Sequence, residues 1–366
     1  MQADSALIHN LKVTAYTVPT DLPEADGTIE WDSTTLILVE MEAGGKKGVG
    51  YTYAHVAAAQ VIDKTLKSIV TGRDVMQLPS ITEKMIRAIR NNGSCGIAMM
   101  AVSAVDNAMW DLKAKILDIP LALLLGNIKD EMLIYGSGGF TSYSNDQLAR
   151  QLSGWVDMGI LHVKMKIGAD IEKDLERVCI ARKAIGDKTW LYVDANGAYT
   201  AKQAIEMAYK FEDYQVTWFE EPVPADDLKG LKFIRDHVPA GMVIAGGEYG
   251  YNMPYFEAML DSGAVDVLQG DATRCGGISG FLKTGHVCAA HQLPYSSHCA
   301  PAIHIHAALS LPAFFIAEYF HDHVRIENML FDGMLKPVNG YLKPDLGRPG
   351  AGFDFKHKDA TKYKVA

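Results

Sequence analysis

The rhythm of apolar and polar positions changes along the chain. Residues 7–18 and 33–43 are rich in Val, Leu, Ile and Thr with partial alternation, which predicts two strands. Gly44-Gly45 and Gly48/Gly50 punctuate a hairpin leading into a third short strand. From about 55 to 90 the apolar spacing becomes three and four, which predicts helix. A second helix is expected from about Gly96 to Leu117, ending before Pro120; its small apolar residues lie nearly all round, so it should be buried. Asp106 and Asp111 within it read as carboxylates that hold helix or loop groups.

Beyond this point short strand-like runs recur at 132–137, 161–167, 189–194, 215–220, 242–247, 264–270, 292–297 and 313–319. Helical stretches at 145–158, 171–186, 201–213, 226–237, 253–262 and 278–291 separate them. Eight strands alternating with helices over roughly 190 residues predict a parallel sheet closed into a (β/α)8 barrel. The expected division is an N-terminal α+β domain over 1–128, the barrel over 129–324, and a Gly- and Pro-rich segment over 325–366. That last segment should hold few strong elements and pack back on the first domain.

Composition narrows the class of function. The 366 residues are 48% hydrophobic and 22% charged, with ample apolar material for a core. The net charge of −9, with no basic block, argues against nucleic acid or an anionic membrane as partner. No apolar run approaches the about 18 residues of a membrane span, and MQADSALIHN lacks the character of a leader. The five cysteines are scattered and form no C-x-x-C, as small buried residues in a reducing compartment would be. A cytoplasmic enzyme is the expectation.

Polar residues collect at the strand ends, where a β/α barrel builds its site. Lys164 and Lys166 share one face of the second barrel strand. Each ammonium disfavours the other, so one is expected to fall toward neutrality and serve as a base. Asp194 and Asn196 end the third strand, Glu220 the fourth and Glu248 the fifth. Spacings of 26 and 28 residues put the three carboxylates at one height. Three crowded carboxylates call for a cation, and an all-oxygen set suits Mg2+. Asp271, after the sixth strand, is placed to orient His298, after the seventh, as a second acid/base unit. Glu318 on the eighth strand can hydrogen-bond a substrate carboxylate if it stays protonated. His291, His304 and His306 have no such partner and read as structural.

The constellation resembles the enolase superfamily, and within it the mandelate racemase group, over nearly the whole chain. The resemblance rests on Ala104-Val105-Asp106-Asn107-Ala108-Met109-Trp110-Asp111-Leu112-Lys113, the K-x-K at 164–166, the D-x-N at 194–196, W-F-E-E-P at 218–222, G-G-E at 246–248, Asp271, His298 and Glu318. It implies a modified TIM barrel capped by the N-terminal domain, with a specificity loop near 18–32. It also implies one Mg2+ per subunit on Asp194, Glu220 and Glu248, with Lys166 as one base and His298, paired with Asp271, as the other. Lys164 and Glu318 would stabilise an enediolate formed by removing the proton beside a substrate carboxylate. The choice of Glu220 over Glu221 rests on alternation and resemblance. Many members are octamers, so a homo-oligomer is expected.

Loss of a β-hydroxyl from the enediolate makes the enzyme an acid-sugar dehydratase, the favoured reading. Reprotonation on the opposite face makes it a racemase or epimerase. Asn196, Glu318 and Arg274 are the candidate substrate-binding residues. The loop Thr20-Asp21-Leu22-Pro23-Glu24-Ala25-Asp26 carries three acids and no base, which points to a monoacid such as an aldonate, or to an amino-acid derivative with a distal positive charge, unless Arg274 or another cation reaches a distal carboxylate. A phosphate-binding barrel is disfavoured by Ser-Ser-His-Cys-Ala-Pro after strand seven, and a non-catalytic barrel by the complete set of acids and bases.

Overall fold

A computed structural model describes residues 6–366; the reading of the N-terminal leader falls partly on residues 1–5, outside the described ones. Strands β1 (Asn10–Ala25), β2 (Glu30–Ala43) and β3 (Lys46–Tyr53) form an antiparallel sheet. Gly44 and Gly45 turn between β2 and β3 with φ of 56° and 70°, a left-handed pair that favours glycine. Helix α1 (Ile97–Ile116) packs across β3.

That contact is close because both sides are small. A Cβ on Gly50 would lie 2.2 Å from the backbone N of Ala108, and one on Gly48 2.4 Å from the Leu112 Cβ. Gly50→Ala should therefore push strand and helix apart and destabilise the protein by about 1–3 kcal/mol. A melting temperature equal to that of the parent would refute the close approach.

Eight parallel strands follow: β4 (Met132–Gly138), β5 (His162–Lys166), β6 (Trp190–Asp194), β7 (Val216–Glu220), β8 (Val243–Gly246), β9 (Val267–Gly270), β10 (Tyr295–Ser297) and β11 (Phe314–Phe320). They are hydrogen-bonded in that order, and β11 pairs with β4 to close the barrel. Alternation sorts the two faces. Val163, Met165, Leu191, Val193 and Phe219 join the large core under the helices. Tyr135, Tyr192 and Trp218 turn inward and fill the barrel's lower layers, with Tyr192 and Trp218 stacked at 5.0 Å.

Three expectations change. The stretch from 55 to 90 is not one helix: Ile62–Leu66 is wound as π-helix, the chain turns at Thr71–Gly72, and a new helix runs over Leu78–Ala88. Helix Pro301–Ala308 follows β10; it is buried all round, so periodicity gave no sign of it. The segment near 18–32 is not a loop. It extends the β1–β2 ladder through Glu24↔Trp31 and Ala25↔Glu30, with an irregularity between Pro19 and Glu24.

Helix α2 (His321–Leu330) crosses the expected boundary at 325. It ties the C-terminal segment to both other parts. The Tyr51 hydroxyl donates to Glu327 Oε1 at 2.6 Å, and Val365 N donates to Ala15 O at 2.9 Å. Burial raises the Glu327 carboxyl from 4.5 to about 8. Between those values the folded protein keeps a proton that the unfolded chain has lost, so stability falls as pH rises through that window. The fall should be shallower in Glu327→Gln, measured by thermal melting from pH 5 to 8. Parallel slopes would remove Glu327 from the pH dependence.

Candidate active site

Strand register brings the site together. Lys166 on β5 is level with Asp194 on β6, and Asp194 is level with Glu220 on β7. Glu248 lies two residues past the end of β8. Asp194, Glu220 and Glu248 are all buried, and a carboxylate oxygen from each lies within 4.8 Å of the others. Glu221 takes no part in that triad; its backbone has φ 36°, and its carboxyl is pushed up by burial and the charge of Glu248.

The two lysines enter the same group. Lys164 Nζ lies 2.5 Å from Glu220, 2.9 Å from Glu318 and 3.3 Å from Asp194. Lys166 Nζ lies 2.5 Å from Asp194. Burial opposes the charge on both lysines, but the carboxylates outweigh it, and both are held above the ordinary lysine range. Each ammonium faces anions more closely than it faces the other, so the expected fall of one lysine toward neutrality depends on a cation engaging those carboxylates. Glu318 also differs from expectation. Burial favours its neutral form, yet Lys164 and His298 hold it well below the usual carboxylate range. Both its oxygens face donors, Lys164 Nζ at 2.9 Å and the Cys299 backbone N at 2.8 Å, which favours the ionised form over a protonated donor.

On the other side, His298 Nδ1 lies 2.8 Å from Asp271 Oδ2. Burial opposes ionisation of Asp271, but His298 prevails and keeps its carboxyl below the usual range. His298 Nε2 is thereby aimed inward, 3.4 Å from Glu248 Oε2. Arg274 donates to the Glu248 backbone O at 3.1 Å, approaches Asp271 at 3.6 Å and lies over the Tyr249 ring. Asn196, at φ 46°, donates its N–H to Asp194 Oδ1 at 3.0 Å; its own Oδ1 is buried without a partner. Lys166, Asn196, Glu248, Arg274, His298 and Glu318 line one cavity of about 380 Å3 beneath the β1–β2 hairpin.

Helix α1 positions one wall of this cavity. Asn107 donates to Ala272 O at 3.0 Å and accepts from Ile278 N at 2.9 Å, while Ser103 Oγ accepts from Gly276 N at 2.9 Å. Asp106 accepts from Ser279 N and from the Thr82 hydroxyl. The helix thus clamps the segment after β9 that carries Asp271 and Arg274. Asp111 holds Val49 N and Ala351 N, each at 2.7 Å, so both acids are structural anchors as expected.

His304 reads as structural in the sequence, which gives no sign of His323. His304 Nε2 accepts from Ala272 N at 2.7 Å, and its Nδ1 meets Cys299 O and Ala300 O at 3.0 and 2.8 Å. It braces the two loops that carry Asp271 and His298. His323 lies flat against Tyr53 at 3.6 Å and faces the cavity; nothing in the spacing of H-D-H at 321–323 marks it.

The donor set fits a divalent cation. It offers three carboxylates and a buried Glu248 Oε2 with no hydrogen-bond partner. Burial and the charge of Asp194 drive the Glu220 carboxyl up to about 8, a cost that a dication in the cluster relieves.

Comparison with known proteins agrees with the geometry. Residues 10–126 match the mandelate racemase/muconate lactonizing enzyme N-terminal domain, and 147–360 the enolase C-terminal domain-like family. The chain is 33% identical over 324 residues to L-talarate/galactarate dehydratase of Salmonella typhimurium, spanning 87% of this chain and 80% of that one. A structure of that enzyme, liganded with Mg and L-lyxarohydroxamate, superposes with a TM-score of 0.89 at 30% identity, covering 98% of this chain and 93% of that one. Arabinonate dehydratase of Saccharolobus solfataricus is 32% identical, with 90% of each chain covered. A mandelate racemase/muconate lactonizing enzyme-like protein from Rubrobacter xylanophilus is 49% identical, with a TM-score of 0.96 over 98% of this chain and all of that one. This chain belongs to the mandelate racemase/muconate lactonizing enzyme family of the enolase superfamily.

Proposed function

We propose that the protein is a Mg2+-dependent acid-sugar dehydratase. One observation carries this reading: Lys166 and His298, from different sides of the barrel, face a single cavity with the carboxylate triad between them. Asp194, Glu220 and Glu248 would hold the cation, which when bound supplies fixed positive charge beside the substrate carboxylate. Lys166, deprotonated once Asp194 is engaged with the cation, takes the α-proton, and the C–H electron pair moves into the carboxylate as an enediolate. Lys164, buried under the triad, is the fixed ammonium nearest that developing charge. Glu318 orients Lys164 and the Cys299 backbone. His298, held by Asp271, gives its proton to the β-hydroxyl; the C–O bond breaks, water leaves, and the enol becomes a 2-keto acid.

Lys166 pairs with a carboxylate of the triad itself, so cation binding and lysine protonation are linked. Epimerisation is the second reading, favoured by the same pair of acid/base groups on two sides of the cavity. The two named relatives differ in their acids: galactarate carries a carboxylate at both ends, arabinonate at one.

The test is a screen of the Mg2+-loaded protein against acid sugars for 2-keto acid, run beside α-proton exchange in D2O. Keto acid from any member supports dehydration. Exchange without keto acid moves the assignment to epimerisation, and neither result across the panel sinks both.

A further inference from the structure

The cavity has two chemically different ends. Its barrel end holds Lys166 and Arg274, and both are already paired, with Asp194 at 2.5 Å and with Glu248 O and Asp271 at 3.1 and 3.6 Å. The far end is built by the β1–β2 hairpin and the end of β3, from Asp26, Ile29, Trp31, Thr35 and His55. Among the described residues, no Lys or Arg lines that end.

The acids of the hairpin behave individually. Asp21 lies 3.0 Å from His321, outside the cavity lining. Glu24 is buried against the Trp31 indole N–H at 2.8 Å, and burial raises its carboxyl to about 8. Asp26 is different. Its Oδ1 accepts from Thr28 N and Ile29 N at 2.6 and 2.8 Å, while its Oδ2 has no hydrogen-bond partner among the described residues. Asp26 lines the cavity and keeps one carboxylate oxygen unpaired.

His323 adds a neutral group. Its ring is half-buried and stacked on Tyr53, its Nδ1 has no partner, and desolvation pushes its pKa down to about 3. His55 Nδ1 is taken by Ala57 N at 3.2 Å, leaving Nε2 as its free polar atom.

We infer that the substrate is a monocarboxylate with an uncharged polyol tail, whose hydroxyls meet Asp26 and His323. A second carboxylate at the far end would face Asp26 with no cation to pair it, and an unpaired like-charge contact is strongly disfavoured. This rests on the reading of the cavity as an acid-sugar site, and it selects aldonates over aldarates within that class.

The test is calorimetric binding of aldonate–aldarate pairs of matched stereochemistry, four to six carbons long, to the Mg2+-loaded full chain. Exchange of the α-proton in D2O is followed in parallel. The best aldonate should bind about 100-fold tighter than its aldarate. Ile29 is 63% exposed at the hairpin turn, so Ile29→Arg adds a cation there without disturbing the core; it should shrink the ratio to about tenfold or less. Asp26→Asn keeps an acceptor for the turn and should shrink it too.

An aldarate that binds as tightly as its aldonate overturns the inference, and if it also exchanges its α-proton the proposed chemistry stands without it. Preferred aldonate binding without exchange supports the inference and sinks the chemistry. Failure of every pair to bind overturns the inference, and so does an unchanged ratio in both variants.

Discussion

Lys166→Ala is expected to lose both product formation and α-proton exchange, by about 10²–10⁴-fold, the range a positioned general base contributes. The fold should survive. Asp194 keeps Lys164 at 3.3 Å and the Asn196 N–H at 3.0 Å, so no buried carboxylate is left unpaired. His298→Asn should lose product formation to a similar extent. Asparagine can still donate to Asp271, which spares that loop. The two variants part company in D2O: with His298 replaced, Lys166 still removes the α-proton, so exchange should persist without 2-keto acid. Exchange retained in Lys166→Ala and lost in His298→Asn would reverse the two roles. Full turnover in either variant would remove that residue from the mechanism.

The second large effect concerns the cation. Chelation should abolish turnover, and Mg2+ should restore it. An ion held by the native triad and not by the unfolded chain should, at 100 times its Kd, stabilise the fold by about 2.7 kcal/mol. Asp194→Asn should lose the restored activity and the shift in melting temperature together, because Asp194 stands between both lysines and Glu220. An unchanged melting temperature at saturating Mg2+ would falsify the assignment of the triad as a cation site.

Both expectations began with residue spacing, and the structure shows which inferences such spacing supports. The barrel strands were legible because alternation on a buried parallel strand has a period of two, with punctuation at each end. Lys164 and Lys166, Tyr192 and Asp194, and Trp218 and Glu220 all point inward for that one reason. The buried α1 was legible from its Ala and Met content. The helix Pro301–Ala308 was not, since a helix buried on every side has no amphipathic period to read. The hairpin over 18–32 was also misread. Its Asp, Pro, Glu and Gly residues resemble loop composition, and only pairing across the ladder made it strand.

What the sequence determined by itself was the inventory of charged groups and their height along each strand. Those depend on local periodicity, which a linear pattern carries. Which charges meet was decided only by closing the barrel. Carboxylates from β6, β7 and β11 converge on both lysines and favour their charged forms, and Lys164 at 2.9 Å favours the ionised form of Glu318. Neither proximity can be computed from separation along the chain. The same holds for the far end of the cavity. Asp21, Glu24 and Asp26 are equivalent acids in the sequence, yet an imidazole, an indole and a turn give them three different environments. Charge state depends on partners within a few ångströms, and here those partners lie anywhere from 3 to 300 residues away along the chain.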